Sequence, residues 1–253
     1  MEKEFCKIGI VGKPFIGECS DEWNNNVIVN GNLCDIVYES GYIPVGIMPI
    51  SPREKFNLTD SEDSYILNQF DRDRIKQQIR DLDGIILQGG MQTLAYEEFI
   101  AKVAIHNHIP IMGICAGFNT LVRVSGGRVI KDIDERHNKE PDELAHLIII
   151  DPDSNFYKLI KQSSVDVNSV HWMVAPIRGI PRSLRVAAVS SDRFVEVVEG
   201  KDGPIYGYKF HPEVMALEGN KTYNPKMKNI FSDFFSKCEE YHKSKCSNNE
   251  MTK

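Results

Sequence analysis

Between residues 7 and 124 the sequence alternates short apolar runs with segments of helical period. No other feature of the 253 residues restricts the fold as much. Lys7-Ile8-Gly9-Ile10-Val11-Gly12 is a short apolar run closed by glycine, as a buried strand is. Over residues 25–40, Val27, Ile28, Leu33, Ile36 and Val37 share one helical face, and Gly41 is placed to end it. Ile43-Pro44-Val45-Gly46-Ile47-Met48 reads as a second strand, its proline tolerated near the start. Residues 51–63 are polar and read as a loop, 71–81 as a charged helix, and Gly84-Ile85-Ile86-Leu87 as a strand running into Gln88-Gly89-Gly90. Residues 93–107 are expected to be helical, with Leu94, Phe99, Val103 and Ala104 on the apolar side. The strand Ile109-Pro110-Ile111-Met112-Gly113-Ile114 and a helix over 117–124 follow. This rhythm predicts an α/β fold with a mostly parallel central sheet flanked by helices. Ligands of such sheets bind beyond the carboxyl ends of the strands, which points at the turns 88–90 and 113–117.

The C-terminal half changes rhythm. Short strand candidates at 144–150, 165–168, 184–189, 194–198 and 205–210 are separated by turns, and Gly203-Pro204 divides the last two like a hairpin loop. They predict a smaller antiparallel section. A helix over 229–241, carrying Ile230, Phe231, Phe234 and Phe235, closes the fold, and the polar stretch 242–253 is expected to fray. No repeat or linker interrupts the chain, so one domain over 1–241 with a tail at 242–253 is expected.

Composition removes several function classes. The side chains are 42% apolar and 26% charged, and a chain this long buries roughly three-quarters of its unfolded surface without disulfide or metal staples. Thirty basic against thirty-six acidic residues give a net charge of −6, and no basic block stands out, which argues against a nucleic-acid partner. No apolar run reaches the ~18–20 residues of a membrane-spanning helix, so no membrane association is expected. The opening Met1-Glu2-Lys3-Glu4 lacks the apolar core of a signal peptide. The six cysteines show no CxxC spacing, so reduced thiols in a cytoplasmic protein are expected, with neither metal nor cofactor.

Three short patterns carry chemistry. Gly113-Ile114-Cys115-Ala116-Gly117 lies between a strand and a helix, a G-x-nucleophile-x-G elbow with cysteine as the nucleophile. There Cys115 meets a helix N-terminus, which favours a thiolate, and the Ala116 N–H is free to bond a developing oxyanion. A buried cysteine in a glycine-rich turn fits the same five residues. Gln88-Gly89-Gly90 leaves backbone N–H groups exposed that could supply a second oxyanion donor, or needs its glycines for geometry alone. His211-Pro212-Glu213 follows the last strand: His211 can serve as the base a cysteine hydrolase requires, and Glu213 can orient it. A turn with an exposed histidine is the plainer reading of that tripeptide.

The chain resembles the class I glutamine amidotransferase-like superfamily, and within it the γ-glutamyl-γ-aminobutyrate hydrolase-like branch of cysteine peptidases. The resemblance runs from Lys7 to about Phe235. It rests on Ile8-Gly9-Ile10, Gly41-Tyr42-Ile43-Pro44-Val45 and Asp83-Gly84-Ile85-Ile86-Leu87-Gln88-Gly89-Gly90, then on the Cys115 elbow, Glu143-Leu144-Ala145-His146, Val167-Asn168-Ser169-Val170-His171 and Phe210-His211-Pro212-Glu213. It implies a flavodoxin-like sheet, a Cys115–His211–Glu213 triad and an oxyanion hole from the Gly90 and Ala116 N–H groups. It also implies that Ser169 and His171 touch the glutamyl part of a substrate. Asn119 stands where the family commonly has a pocket glutamine, Ala116 where the hydrolase branch has arginine, and His171-Trp172-Met173 replaces its His-His-Gln. These departures leave the triad intact and bear on which amide is chosen.

The resulting expectation is a hydrolase that cleaves a small-molecule γ-glutamyl amide through a thioester. One alternative is the glutaminase subunit of an amidotransferase that delivers ammonia to a partner synthase. The other is a non-catalytic binding protein on the same scaffold. Association of the chain with itself is left open.

Overall fold

The structure is a computed structural model that describes residues 5–14, 26–49, 66–90, 94–132, 137–140 and 142–250, with side chains through residue 247. The expected loop at 51–63, Cys19, and the start of the helix expected from residue 93 lie outside the described residues.

The chain begins with β1 (Lys7–Val11) and the short β2 (Lys13–Pro14) and β3 (Val27–Ile28), then α1 (Gly31–Glu39) and β4 (Ile43–Ile47). Next come α2 (Gln69–Ile79), β5 (Gly84–Leu87), α3 (Ala95–His106), β6 (Ile111–Ile114), α4 (Ala116–Val124) and the short β7 (Ile130–Lys131). The second half holds β8 (Leu144–Ile150), α5 (Asn155–Ile160), β9 (Ser164–Asn168), the short β10 (Met173–Val174), β11 (Leu184–Ser190), β12 (Val195–Gly200) and β13 (Ile205–Tyr208). It ends with α6 (Pro212–Met215) and α7 (Lys228–Glu250).

Among the described residues one nine-stranded sheet runs β4-β1-β5-β6-β13-β12-β11-β8-β9. From β4 to β13 neighbouring strands are parallel; from β13 outward they are antiparallel. The antiparallel strands therefore extend the parallel sheet. Its two faces are covered as the parallel rhythm requires: Ile8, Ile10 and Ile86 pack with Phe231, Phe234 and Phe235 of α7 on one side. Val11, Ile85 and Leu87 pack with Ile75, Ile79, Ile100 and Ala104 of α2 and α3 on the other. Burial of this apolar surface, worth roughly 25 cal/mol per Å², holds the layers together.

Most boundaries shift by a residue or two; two shift further, each for a long-range reason. Helix α1 starts at Gly31 because the Asn30 side chain caps it, accepting from the Leu33 N–H at 3.3 Å. Val27 and Ile28 pair with β2 instead. The Gln88 side chain fastens this junction, accepting from the Asn30 N–H at 2.7 Å and donating to the Ile28 carbonyl at 2.9 Å. Helix α7 continues past Tyr241 to Glu250, into the stretch expected to fray. His242 Nδ1 and Lys245 Nζ lie 3.0 and 2.6 Å from Oδ1 of the buried Asp83, at the start of β5.

What positions the site is the adjacency of β5, β6 and β13. All three point the same way, so the segments after Leu87, Ile114 and Tyr208 emerge side by side at one edge.

Candidate active site

Cys115 follows β6 and caps α4 with φ 52° and ψ −100°, a region an L-residue adopts only when its surroundings impose it. The imposition is visible on both sides. The Cys115 N–H donates to the Tyr208 carbonyl at 2.8 Å, carrying the ladder with β13 one residue beyond the strands. A Cβ on Gly113 would lie 2.5 Å from the Gly117 carbonyl oxygen, and a Cβ on Gly117 would strike the Leu87 carbonyl oxygen. Only glycines let strand and helix approach this closely. Ala116 opens α4, so its N–H has no carbonyl a turn earlier to bond.

The turn after β5 meets this elbow. A side chain at Gly89 would stand 2.7 Å from His211 Cε1 and 3.5 Å from Cys115 Cβ, so the bare backbone there makes room for both. Gly90 has φ +152°, which aims its backbone as few other residues could.

His211 arrives from the end of β13. Its backbone is held at both ends by Asn168 of β9: the His211 N–H donates to Asn168 Oδ1 at 2.9 Å, and its carbonyl accepts from Asn168 Nδ2 at 3.2 Å. His211 Nδ1 bonds Glu213 Oε1 at 2.8 Å, and the imidazole lies beside the Cys115 side chain, both against the bare backbone of Gly89. With Nδ1 engaged by Glu213, Nε2 is the nitrogen left for sulfur. Glu213, itself buried, lies in the first turn of α6 behind Pro212.

The electrostatics follow from burial and charge. Burial alone would raise the Cys115 thiol; the charge and hydrogen bond of His211, with the charge of Lys209, overcome it and bring the thiol to about 7. Burial works against a charged His211, yet Glu213 and Cys115 hold the imidazole well above its ordinary value. Both shifts favour a thiolate beside an imidazolium. The Cys115 Sγ also lies 3.8 Å from the Val170 carbonyl, to which a thiol would donate.

Lys209 and Asn168 are site residues that sequence reasoning missed. Lys209 is 1% exposed. Its ammonium donates to Asn119 Oδ1 at 3.0 Å and lies 5.9 Å from the centre of the Phe118 ring. A lysine inside the apolar run 205–210 was the signal available. The Asn168 clamp lies within the motif 167–171 that the resemblance quotes, but its bonds to His211 span forty-three positions and no spacing shows them.

The three residues expected to bind substrate are placed differently. The Asn119 carbonyl oxygen is taken by Lys209. Ser169 is buried, its hydroxyl donating to the His137 carbonyl at 2.5 Å. His171 is buried too, its N–H donating to the same carbonyl at 3.0 Å and its ring turned toward Glu196. The Asn119 carbonyl oxygen, the Ser169 hydroxyl and the His171 N–H thus have interior partners.

Among the described residues two groups of side chains gather potential metal ligands. Cys6, Asp83 and His242 form one, with Lys245 already paired to Asp83. His137, His171 and Glu196 form the other, their ligand atoms within 4.8 Å of one another. The expectation of no metal came from the lack of close-spaced motifs, and these ligands meet only through the fold.

Comparison with known proteins follows the same lines. The Peptidase C26 family model matches residues 94–213. The chain is 31% identical to one subunit of a glutamine-hydrolysing GMP synthase from Methanothermobacter thermautotrophicus over 163 residues, 63% of this chain and 76% of that one. It is 30% identical to a glutamine-hydrolysing GMP synthase from Thermosipho melanesiensis over 192 residues, 72% of this chain; the aligned part spans 33% of that longer protein. Among solved structures, that of a GMP synthase subunit from Thermoplasma acidophilum superposes with a TM-score of 0.64 at 20% identity, covering 96% of this chain and 99% of the other.

Proposed function

The chain belongs to the class I glutamine amidotransferase-like superfamily, and from that premise we propose that it hydrolyses the side-chain amide of glutamine as the ammonia-releasing subunit of a partner synthase. The observation that carries this reading is the Cys115–His211–Glu213 relay on the strained elbow, with the thiol brought to about 7. Glutamine is preferred as substrate because a relative of which this chain covers 76% is one subunit of a glutamine-hydrolysing synthase.

In this reading the Cys115 thiolate attacks the γ-carboxamide carbon, and the carbonyl oxygen gathers negative charge against the Gly90 and Ala116 N–H groups. Collapse of the tetrahedral adduct breaks the C–N bond while His211 gives its proton to the leaving nitrogen, releasing ammonia and a γ-glutamyl thioester. His211, now neutral, takes a proton from water as water attacks the thioester. Glutamate leaves, and thiolate and imidazolium are restored. Glu213 keeps the imidazole in the tautomer that faces sulfur throughout.

A second reading is favoured by the Peptidase C26 match over residues 94–213: hydrolysis of a γ-glutamyl amide with a larger amine leaving group. The chemistry is shared; only the group on nitrogen changes. A panel of glutamine and other γ-glutamyl amides, assayed for release of ammonia or amine, separates the two. Preference for glutamine supports the first reading, and preference for a bulkier amide supports the second. No turnover of any member by a folded sample, with or without a partner synthase, overturns both in favour of the binding protein.

A further inference from the structure

Beside the nucleophile, on the side away from β5, three histidines converge on one carboxylate. Glu196 Oε1 lies 3.4 Å from His146 Nε2, 3.7 Å from His137 Nδ1 and 3.9 Å from His171 Nε2. Glu196 is fully buried, and His137 and His171 are nearly so. None of these approaches has the geometry of a hydrogen bond. Both nitrogens of His146 and His171, Nδ1 of His137 and both Glu196 oxygens lack a partner among the described residues. Buried polar atoms are almost always satisfied, so seven orphans in one cluster require a reason.

Protons alone do not supply it. Three imidazolium ions packed at ring distances of 4.5 and 5.0 Å would repel one another against one carboxylate. Neutral rings would leave most of the same atoms orphaned. A divalent cation at the centre takes four of these seven atoms at once, one from each side chain. Zinc bonds of ~2.0–2.1 Å in a tetrahedron set its ligand atoms about 3.3 Å apart. Glu196 Oε1 stands 3.4, 3.7 and 3.9 Å from the three nitrogens. The His137, His171 and Glu196 atoms lie within 4.8 Å of one another, and His146 joins them through Glu196. The neighbouring groups fit the same picture: His137 Nε2 lies 3.0 Å from Asp192 Oδ2, and Asp192 accepts from Ser190 Oγ at 2.5 Å. A histidine that binds metal through one nitrogen commonly donates to a carboxylate through the other, which fixes ring and tautomer.

We propose that His137 Nδ1, His146 Nε2, His171 Nε2 and Glu196 Oε1 form a closed four-ligand site for one zinc-class divalent cation. Three imidazoles and a carboxylate are the borderline donors such a metal prefers over magnesium or calcium. Four protein ligands leave no open position, so the role is structural. The site fastens the segments that frame the nucleophile. His171 follows Val170, whose carbonyl faces the Cys115 sulfur, and the Glu196 carbonyl accepts from the Lys209 N–H at 2.8 Å, two residues before His211. This assignment stands apart from the amidohydrolase reading.

The test uses the Cys115→Ser chain, which removes the other strong zinc ligand near the site. After chelator treatment, the folded chain is loaded with zinc alone, dialysed and assayed for bound metal. About one zinc per chain is expected, lost in His146→Gln and in Glu196→Gln and kept in His106→Ala, an exposed control on α3. No retained zinc in the folded Cys115→Ser chain overturns the proposal, as does undiminished zinc in a folded His146→Gln chain. Should those variants fail to fold, cobalt substitution of the Cys115→Ser chain decides. A tetrahedral ligand-field spectrum without a thiolate charge-transfer band supports the site, and an octahedral spectrum or a thiolate band refutes it.

Discussion

Two basic side chains, His211 and Lys209, lower the Cys115 thiol, and they act on it differently. His211 lies beside it; Lys209 acts through its charge from a buried position beside Asn119. Replacing Lys209 with methionine keeps the packing and removes the charge, so the thiol should rise. The acid limb of kcat/KM is then expected to move to higher pH, by less than in a His211 variant, with KM little changed. A limb that stays in place would remove Lys209 from the electrostatics of the site. In Glu213→Gln the 2.8 Å contact to His211 survives as a neutral one. The imidazolium loses its counter-charge, the thiol rises with it, and kcat is expected to fall by about 10²–10⁴-fold, measured together with the shift of the acid limb. The proximity of Cys115, His211 and Glu213 could be anticipated in the sequence because each stands near a predicted strand end, Cys115 between two glycines and the other two around Pro212. That of Lys209 and Asn168 could not, because their partners are brought near only by folding.

At the scale of elements, the elbow works because β5, β6 and α4 approach more closely than side chains allow. Gly117→Ala would drive a methyl group into the Leu87 carbonyl, and a loss of about 3 kcal/mol is expected, read as a lower urea midpoint. Gly31→Ala, at the exposed first turn of α1 with nothing within 4 Å of the new methyl group, is expected to be neutral or to stabilise by up to about 1 kcal/mol. Equal effects at the two positions would contradict the close approach. Strands β1, β5 and β6 could be read from their apolar runs and glycine ends. The true start of α1 could not, since the apolar period of Val27 and Ile28 continues through Asn30, and only the cap and the Gln88 bonds break it.

Across the whole molecule, the sheet brings together segments from both halves of the chain, and the last helix reaches back to the first strands. Asp83 is 1% exposed and receives the Lys7 N–H at 2.9 Å as well as the cationic side chain of Lys245. Ending the chain at Tyr241 would leave that buried carboxylate short of its partners, and about 2 kcal/mol of stability should be lost. Chemical denaturation of the shortened chain measures it; an unchanged midpoint would mean that residues 242–253 do not hold the fold. The polar composition of that stretch concealed the attachment, because ion pairs spanning most of the chain leave no periodic trace. The same long reach joins the elbow after β6 to the imidazole after β13, and on that junction the functional reading depends. Its most direct measurement is the pH dependence of Cys115 alkylation by iodoacetamide, followed at that residue by mass spectrometry in the native chain and in His211→Ala. Reactivity of the native chain should titrate at about 7, and in His211→Ala the midpoint should climb to the ordinary thiol range or beyond. An ordinary thiol titration in the native chain, or the same midpoint in both, would contradict it.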